Sequence, residues 1–275
     1  MSAVPVVKIR PPSGWPAPNF LQLWQFRDLA SALAIRDLKL RYRQTALGAV
    51  WVILQPIMAA GIFSFVFGTV ARMPSDGLPY FVFSFAGLMG WNLFNSTLTK
   101  ISTSLVGNSH LISKVFFPRL VLPLSSVPST LVDFAVTSCL MAALIILYKV
   151  PVSLNLLFLP VWMALLLLFS VGLGLCAASL TVSYRDVQYM LPVLLQILLY
   201  ASPVAYSASA MPEHLRVWYH LNPLSELLEA FRWSLLGSGS VDPRHIAIAA
   251  LWAIGSAVFG LFSFKRMERK FADVI

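Results

Sequence analysis

Long apolar segments with almost no charged side chains dominate this sequence and alternate with short polar stretches. A helix that crosses the hydrocarbon core of a bilayer needs about 20 apolar residues. Six segments approach or exceed that length: residues 47–71, 77–99, 120–148, 154–182, 187–205 and 246–264. Strands of a membrane barrel would alternate polar and apolar side chains, and these segments do not. The pattern therefore predicts an all-α membrane protein with six transmembrane helices.

An amphipathic helix is predicted within the N-terminal region, residues 1–45. Apolar side chains recur there at helical spacing and precede a basic cluster. They are Phe26, Leu29, Ala30, Leu33 and Ala34. Such a helix is expected to lie in the membrane interface with its cations toward the lipid phosphates. A plain charged flank of the first span fits the same pattern.

The stretch between the fifth and sixth spans, residues 206–240, is too polar for a span and contains several prolines. Its apolar positions nevertheless follow a helical repeat: Leu224, Leu227, Leu228, Phe231 and Leu235. Asn222 is the expected N-cap, Pro223 the first helical residue, and Gly237 and Gly239 the end. Two interpretations stay open, a re-entrant hairpin that closes the outer mouth of a path and a helix that lies on the membrane surface.

The composition excludes a water-soluble protein and gives the spans an orientation. Hydrophobic residues make up 58% of the chain and charged residues 11%, against about 45–50% and about 25% in soluble domains. Fifteen of the 20 Lys and Arg residues lie on the side of the termini, including those of the basic tail, residues 265–275. The positive-inside rule then places both termini in the cytoplasm. Because topology explains the net charge of +9, no nucleic-acid partner is expected.

The sequence offers no recognisable catalytic centre. It contains no G-x-x-x-x-G-K-[ST] loop and no Gly-Lys pair, so it cannot bind ATP in that way. Its four histidines, His110, His214, His220 and His245, are scattered, and even the closely spaced His214 and His220 do not predict a metal site. We therefore expect neither an enzyme nor a cofactor in this chain.

Asp133 is expected to be the one ionisable acid or base inside the spans. A carboxylate at that depth costs about 2.5–3.5 kcal/mol on the insertion scale and is seldom kept without a partner. One interpretation is a proton or ion relay, as in a secondary transporter. The favoured interpretation is a structural hydrogen bond to a neighbouring helix through Ser129, Thr130 or Thr137.

Four segments, in order along the chain, carry a resemblance to a known family. They are RDLKLRYRQTALG at 36–48 followed by Trp51 and Gln55-Pro56, LISKVFFPRLVLP at 111–123, YRDV at 184–187, and SPV at 202–204 with LNPL at 221–224 and FR at 231–232. In these segments the chain resembles the membrane permeases of ABC-2 type exporters for lipid-linked polysaccharides such as O-antigen, teichoic acid and capsules. The R-Y-x-x-T-x-L-G and F-P-R forms favour the O-antigen branch.

The resemblance implies the ABC-2, or type V, exporter fold and an assembly. Two copies of the permease would work with two separate ATPase subunits, which would hold ATP and Mg²⁺, in the bacterial inner membrane. The cargo would be undecaprenyl-linked polysaccharide. The contact with the ATPase would be made by the amphipathic helix, the coupling turn at 108–119 and the fourth-to-fifth turn. The residues concerned are Arg36, Asp37, Lys39, Arg41, Asn108, Leu111, Lys114, Phe117, Arg119, Arg185 and Asp186.

Sugars have hydroxyl rims and apolar C–H faces, so uncharged aromatic and amide side chains suit a glycan path. The candidates in spans one, two and five are Trp51, Gln55, Tyr80, Trp91, Asn92, Asn95, Gln196 and Tyr200. Candidates for an outer gate are Pro203, Asn222, Pro223, Glu229 and Arg232. Arg232 is expected to pair with Glu226 or Glu229, one or two turns earlier on the same helix.

Two other functions compete with polysaccharide export. One is an ABC-2 permease of the same fold that carries a drug or a small lipid. The other is a proton-coupled secondary transporter that uses Asp133. The first differs only in cargo, whereas the second would need no ATPase.

Overall fold

The computed structural model describes residues 20–42, 50–207, 210–212, 214, 219–239, 241–268 and 271, and the regular elements in these ranges are all helical. We number the α-helices in chain order. They are α1 Phe20–Gln25, α2 Arg27–Tyr42, α3 Val50–Phe63, α4 Tyr80–Gly107, α5 Ser109–Lys114, α6 Val121–Ser125, α7 Val127–Leu147, α8 Leu159–Ser183, α9 Val187–Ala201, α10 Pro223–Leu236 and α11 Pro243–Met267. A π-helical stretch, Ser64–Val70, continues α3, and a 3₁₀ turn, Leu154–Phe158, leads into α8.

Four helical segments are long and apolar enough to cross a membrane. They are Val50–Val70, Val121–Leu147, Leu154–Ser183 and Pro243–Met267. Each coincides with a predicted span, namely the first, third, fourth and sixth. The predicted all-α membrane class is thus confirmed for the described residues. The fifth predicted span contains α9, an apolar helix of 15 residues.

The second predicted span differs from the expectation in length and surroundings. Helix α4 extends to Gly107, eight residues beyond the predicted end, and measures about 42 Å at 1.5 Å per residue. It packs against α3, α7, α8 and α10, and most of its side chains are buried. Because neighbouring helices cover it, α4 can carry more polar side chains than a lipid-facing helix. Lys100 therefore lies inside this helix and not in a turn after it.

The buried side chains form two clusters along the helix bundle. One joins α4, α8 and α10. The other joins the end of α4 to α2, α5, α6 and the end of α11, and contains Leu33, Phe117 and Phe264. Leu29, Ala30 and Phe26 pack against this second cluster. The predicted apolar stripe of α2 is confirmed, but it packs on protein, whereas we expected it to lie on lipid.

Helices α8 and α11 approach each other closely because small residues line their contact. A Cβ atom on Gly172 would overlap the backbone of Ser256, and a Cβ atom on Gly260 would overlap the backbone of Gly172. Ser256 and Gly260 are four residues apart, so both lie on one face of α11. Small residues at this spacing allow helices in a membrane to pack backbone to backbone.

Candidate functional site

One end of the bundle, which we call the basic end, contains the ends of α4 and α11 together with α2 and α5. Here the Arg36 guanidinium joins two of the predicted ATPase-contacting segments. Its Nη2 donates hydrogen bonds to Asn108 Oδ1 over 2.7 Å and to Asp37 Oδ1 over 2.8 Å. Asn108 in turn donates from Nδ2 to the Ser104 carbonyl over 2.9 Å. Helix α2 is thereby tied to the start of the 108–119 turn.

The 108–119 turn exposes a different phenylalanine from the one expected. Phe117, one of the residues predicted for the ATPase contact, is only 7% exposed and belongs to the second buried cluster. The adjacent Phe116 is 85% exposed and Lys114 is also exposed, while Leu111 is half-buried. No signal in the sequence separates these two adjacent phenylalanines, because their difference in burial comes from the packing of the second buried cluster.

Arg119 interacts with the end of α11. Its Nη1 donates to the Glu268 carbonyl oxygen over 2.5 Å, and its backbone N–H donates to Glu268 Oε1 over 3.1 Å. Lys265 donates to the other oxygen of the same carboxylate over 2.7 Å. This half-buried arginine thus fastens the 108–119 turn to the C-terminal end of the bundle.

The turn between α8 and α9 lies at the same end. Arg185 and Asp186 are exposed. Arg185 and Tyr189 line a cavity of about 340 Å³ together with Ser109 of α5. Lys39 is exposed on α2, whereas the side chain of Arg41 lies outside the described residues. The basic end therefore brings together all three segments that were predicted to contact the ATPase.

Lys100 and Asp133 form an ion pair between α4 and α7. Lys100 Nζ lies 3.3 Å from Asp133 Oδ2 and donates to Ser129 Oγ over 2.8 Å. Lys100, one residue beyond the predicted end of the second span, lies within α4. Ser129, one of the partners expected for Asp133, accepts its hydrogen bond from Lys100.

At the opposite end of the bundle, the Arg232 side chain joins α10 to the turn after α9 and to α4. It is 2% exposed, and its guanidinium carbon lies 4.1 Å from the centre of the Phe83 ring. Nη1 donates to the Pro203 carbonyl over 2.8 Å. The expected ion pair with Glu226 or Glu229 is wrong: among the described residues, Arg232 bonds to backbone carbonyls.

Glu226 and Glu229 interact with neighbours other than the arginine. Glu229 accepts a hydrogen bond from the Tyr219 hydroxyl over 2.9 Å. Burial raises the pKa of the Glu229 carboxyl above its ordinary value, and the hydrogen bond from Tyr219 and the charge of Arg232 oppose this shift. Burial also raises the pKa of the Tyr219 hydroxyl, and the charge of Glu229 adds to that effect. Glu226 contacts His220.

Helix α10 begins as the sequence predicts. The Asn222 side chain accepts a hydrogen bond from the backbone N–H of Leu224 over 3.1 Å, Pro223 is the first helical residue, and Gly237 ends the helix with φ of +70°. Asn222 also donates to Ser202 Oγ over 3.0 Å, which joins α10 to the end of α9. The predicted apolar positions of α10 are buried, and so are most of its other side chains. A helix resting on the membrane surface would leave one face exposed.

The glycan-path candidates occupy three different environments. Trp91 is 4% exposed and packs against Phe94 in the core. Asn92 lines a cavity of about 40 Å³ between α4 and α7. The other two candidates on α4, Tyr80 and Asn95, are half-buried. The four candidates on α3 and α9 are exposed, and they are Trp51, Gln55, Gln196 and Tyr200.

Similarity to known proteins agrees with this architecture. Residues 29–236 match the ABC-2 type transporter family. The chain is 28% identical over 249 residues to the O-antigen export system permease protein RfbA of Klebsiella pneumoniae, covering 90% of this chain and 95% of that protein. It is 28% identical to the protein of the same name from Myxococcus xanthus, covering 92% and 98%.

A third relative is the polysialic acid transport protein KpsM of Escherichia coli, 25% identical over 86% of this chain and 92% of that protein. The family match extends from α2 to the end of α10 and so includes both ends of the bundle described above. The chain therefore belongs to the ABC-2 type transporter family.

Proposed function

We propose that this chain is the transmembrane permease of an ATP-driven exporter that moves undecaprenyl-linked polysaccharide, with O-antigen as the favoured cargo, across the bacterial inner membrane. The carrying observation is the family match over residues 29–236. The names of the relatives from Klebsiella pneumoniae and Myxococcus xanthus support O-antigen, and the name of the Escherichia coli relative supports polysaccharide more generally.

In this proposal two copies of the chain assemble with two ATPase subunits, which bind ATP and Mg²⁺ and dock on the basic end. The exposed Lys114, Phe116 and Arg185 offer cationic and aromatic contacts there. The hydrogen bond between Arg36 and Asn108 would transmit motion of the docked turn to α2. Both termini are then cytoplasmic, in agreement with the excess of Lys and Arg on that side.

The membrane domain in this proposal has six spans. Helix α4 is long enough for the second, and α9 with the turn after it forms the fifth. Helix α10 and the segment before it form the outer re-entrant gate, with Asn222 and Arg232 tied to the end of α9. The burial of α10 among α4, α8 and α11 supports this arrangement, since a re-entrant backbone must be covered by protein or by a water-filled path.

The glycan path would run between the two copies, along α3 and α9. Gln55 and Gln196 are exposed on helices whose other exposed side chains are mostly apolar. Lipid cannot satisfy an amide group, so these glutamines are expected to face the path or the second copy. Trp51 and Tyr200, also exposed, would offer ring faces to sugars.

The decisive experiment deletes the permease gene and complements the deletion with a variant in which one charge at the basic end is reversed. Cells without the permease should accumulate lipid-linked polysaccharide on the inner leaflet and lose it from the surface. Complementation with Lys114→Glu should restore permease levels but recover less ATPase in a pull-down. Lys149→Glu, an exposed lysine near the other end of the bundle, is the matched control. Surface polysaccharide that persists without the permease would refute the proposal.

A further inference from the structure

Two histidines and a glutamate converge at the end of the bundle opposite the basic end. His220 Nδ1 lies 2.5 Å from Glu226 Oε1, and His245 Nδ1 lies 3.9 Å from the same oxygen. The two imidazole rings are stacked with centroids 4.0 Å apart and an interplanar angle of 30°. The spacing along the chain does not predict this group, because 19 to 25 residues separate His245 from the other two.

The three side chains come from three separate segments. His220 precedes the N-cap of α10, Glu226 lies in the first turn of α10, and His245 lies in the first turn of α11. Glu226 is only 7% exposed, so its carboxylate is held in place by packing. The His220 ring is held between the ring of Tyr219, at 5.3 Å, and that of His245. The three side chains are therefore close together in the folded chain.

Within this group His220 has a hydrogen-bond partner and His245 has none. The short contact between His220 and Glu226 is a hydrogen bond. His245 is too far from Glu226 for a hydrogen bond, and its ring nitrogens have no hydrogen-bond partner among the described residues. Imidazole nitrogens are common ligands of metal ions.

The donor set and its geometry fit a transition-metal ion. The three ligand atoms lie within 4.8 Å of one another. In a tetrahedral zinc site, with bonds of about 2.0–2.2 Å, ligand atoms are roughly 3.3 Å apart. His220 and Glu226 would separate by about 1 Å and His245 would approach by about half that distance, which side-chain rotation can supply. Two histidines and one glutamate form a known class of zinc site with an open fourth position.

We propose that His220, Glu226 and His245 bind a divalent transition-metal ion, with Zn²⁺ as the best match, and that this ion ties the start of α10 to the start of α11. Imidazole and carboxylate ligands suit zinc better than they suit Mg²⁺ or Ca²⁺. The histidine side chains are 36% and 34% exposed, so an ion can reach them from water. The proposal concerns metal binding alone and is independent of what the exporter carries.

Metal titration of the full-length permease tests this proposal. The purified protein is stripped with a chelator and titrated with Zn²⁺ by calorimetry and with Co²⁺ by visible absorption. We expect one equivalent of ion per chain, the absorption bands of a tetrahedral Co²⁺ site, and a higher Tm with Zn²⁺ than with chelator. A wild-type protein that gains neither bound Zn²⁺ nor a higher Tm would overturn the proposal.

Variants assign the binding to these residues. His245→Ala should weaken Zn²⁺ binding about tenfold or more, whereas His110→Ala, an exposed histidine at the basic end, should bind like the wild type. Glu226→Gln keeps a hydrogen-bonding side chain beside His220 but removes the carboxylate, and it should also lose the ion. This second variant decides the matter if His245→Ala lowers the Tm of the metal-free protein. Unchanged Zn²⁺ affinity in Glu226→Gln would show that the ion binds elsewhere and overturn the proposal.

Discussion

Two cations, the buried Arg232 and the half-buried Lys100, each hold together segments that are distant in sequence. Arg232 connects α10 to the turn after α9 and to the Phe83 ring of α4. Lys100 connects α4 to α7 through Asp133 and Ser129. A charged group that is removed from water must be compensated by hydrogen bonds or an opposite charge. We therefore expect substitutions at these residues to lower stability more than substitutions of surface charges.

Arg232→Ala should lower the free energy of unfolding by about 2–3 kcal/mol, because the Pro203 carbonyl loses a charged donor and the cation no longer covers the Phe83 ring. Arg232→Lys should have an intermediate effect, since an ammonium group lacks the planar fork of a guanidinium. Thermal unfolding of the purified permease measures both. Arg244→Ala, at an exposed arginine, is the control. A wild-type Tm for Arg232→Ala would show that the buried contacts contribute nothing.

Asp133→Asn should reduce stability but leave export, and the pH dependence of export, intact. A structural ion pair needs the carboxylate as a partner for Lys100 and not as a proton carrier. A double-mutant cycle with Lys100→Gln should give a coupling energy of about 1 kcal/mol or more between the two side chains. Loss of export in a stably folded Asp133→Asn protein would instead favour the proton-coupled alternative.

At the scale of elements, the basic end is built from short segments that long helices hold in place. Helix α5 has six residues, too few to be stable alone. It is held by Arg36 through Asn108 on one side, and the turn after it is held by Arg119 through Glu268 on the other. Because the 108–119 turn is fastened at both ends, a force applied to its exposed middle would reach both α2 and α11.

Substitutions of the two adjacent phenylalanines in this turn should distinguish an effect on ATPase docking from an effect on stability. Phe116→Ser should reduce the amount of ATPase that copurifies with the permease while leaving its Tm unchanged, because Phe116 is exposed. Phe117→Ser should lower the Tm, because Phe117 belongs to the second buried cluster and truncation of a core phenylalanine typically costs about 3–5 kcal/mol. If Phe116→Ser retained full ATPase recovery, the turn would not be a docking surface of the kind proposed.

At the scale of the whole molecule, α3 and α9 stand out because each combines a largely uncovered surface with an exposed glutamine. Val50–Val70, which includes α3, and Val121–Leu147 have the lowest buried fractions of the four candidate spans, and most side chains of α9 are exposed. Lipid can cover apolar side chains on these helices but not Gln55 and Gln196. A second copy of the chain, or a water-filled path between two copies, would complete both helices.

Cross-linking in membranes tests the arrangement of the two copies. In a background with Cys139 and Cys176 replaced by serine, Gln55→Cys should form a covalent dimer with a bifunctional maleimide. Leu251→Cys, an exposed position on α11, should not, because it is expected to face lipid. A dimer formed by Leu251→Cys but not by Gln55→Cys would place the interface on α11 and contradict the proposed path along α3 and α9.

The helices that can be predicted from the sequence are those that depend on neighbouring residues along the chain. Four spans follow from apolar stretches of about 20 residues that contain few or no charged side chains. The start of α10 follows from Asn222 and Pro223, and its end from Gly237, since a cap or a left-handed turn depends on a few neighbouring residues. The apolar stripe of α2 and the buried face of α10 could also be predicted from local sequence, because apolar residues that recur every 3.6 positions lie on one face of a helix.

Sequence periodicity predicts which face of a helix is apolar, but it does not predict what that face packs against. Only the tertiary structure decided those packing partners. Asp133 and Lys100 are 33 residues apart, Arg232 and Pro203 are 29 apart, and Arg119 and Glu268 are 149 apart. The same holds for the burial of Phe117 beside the exposed Phe116, and for the meeting of His220 with His245. Hydrophobic patterning thus determined that this chain crosses a membrane as helices, whereas the packing of those helices determined which charges and rings meet.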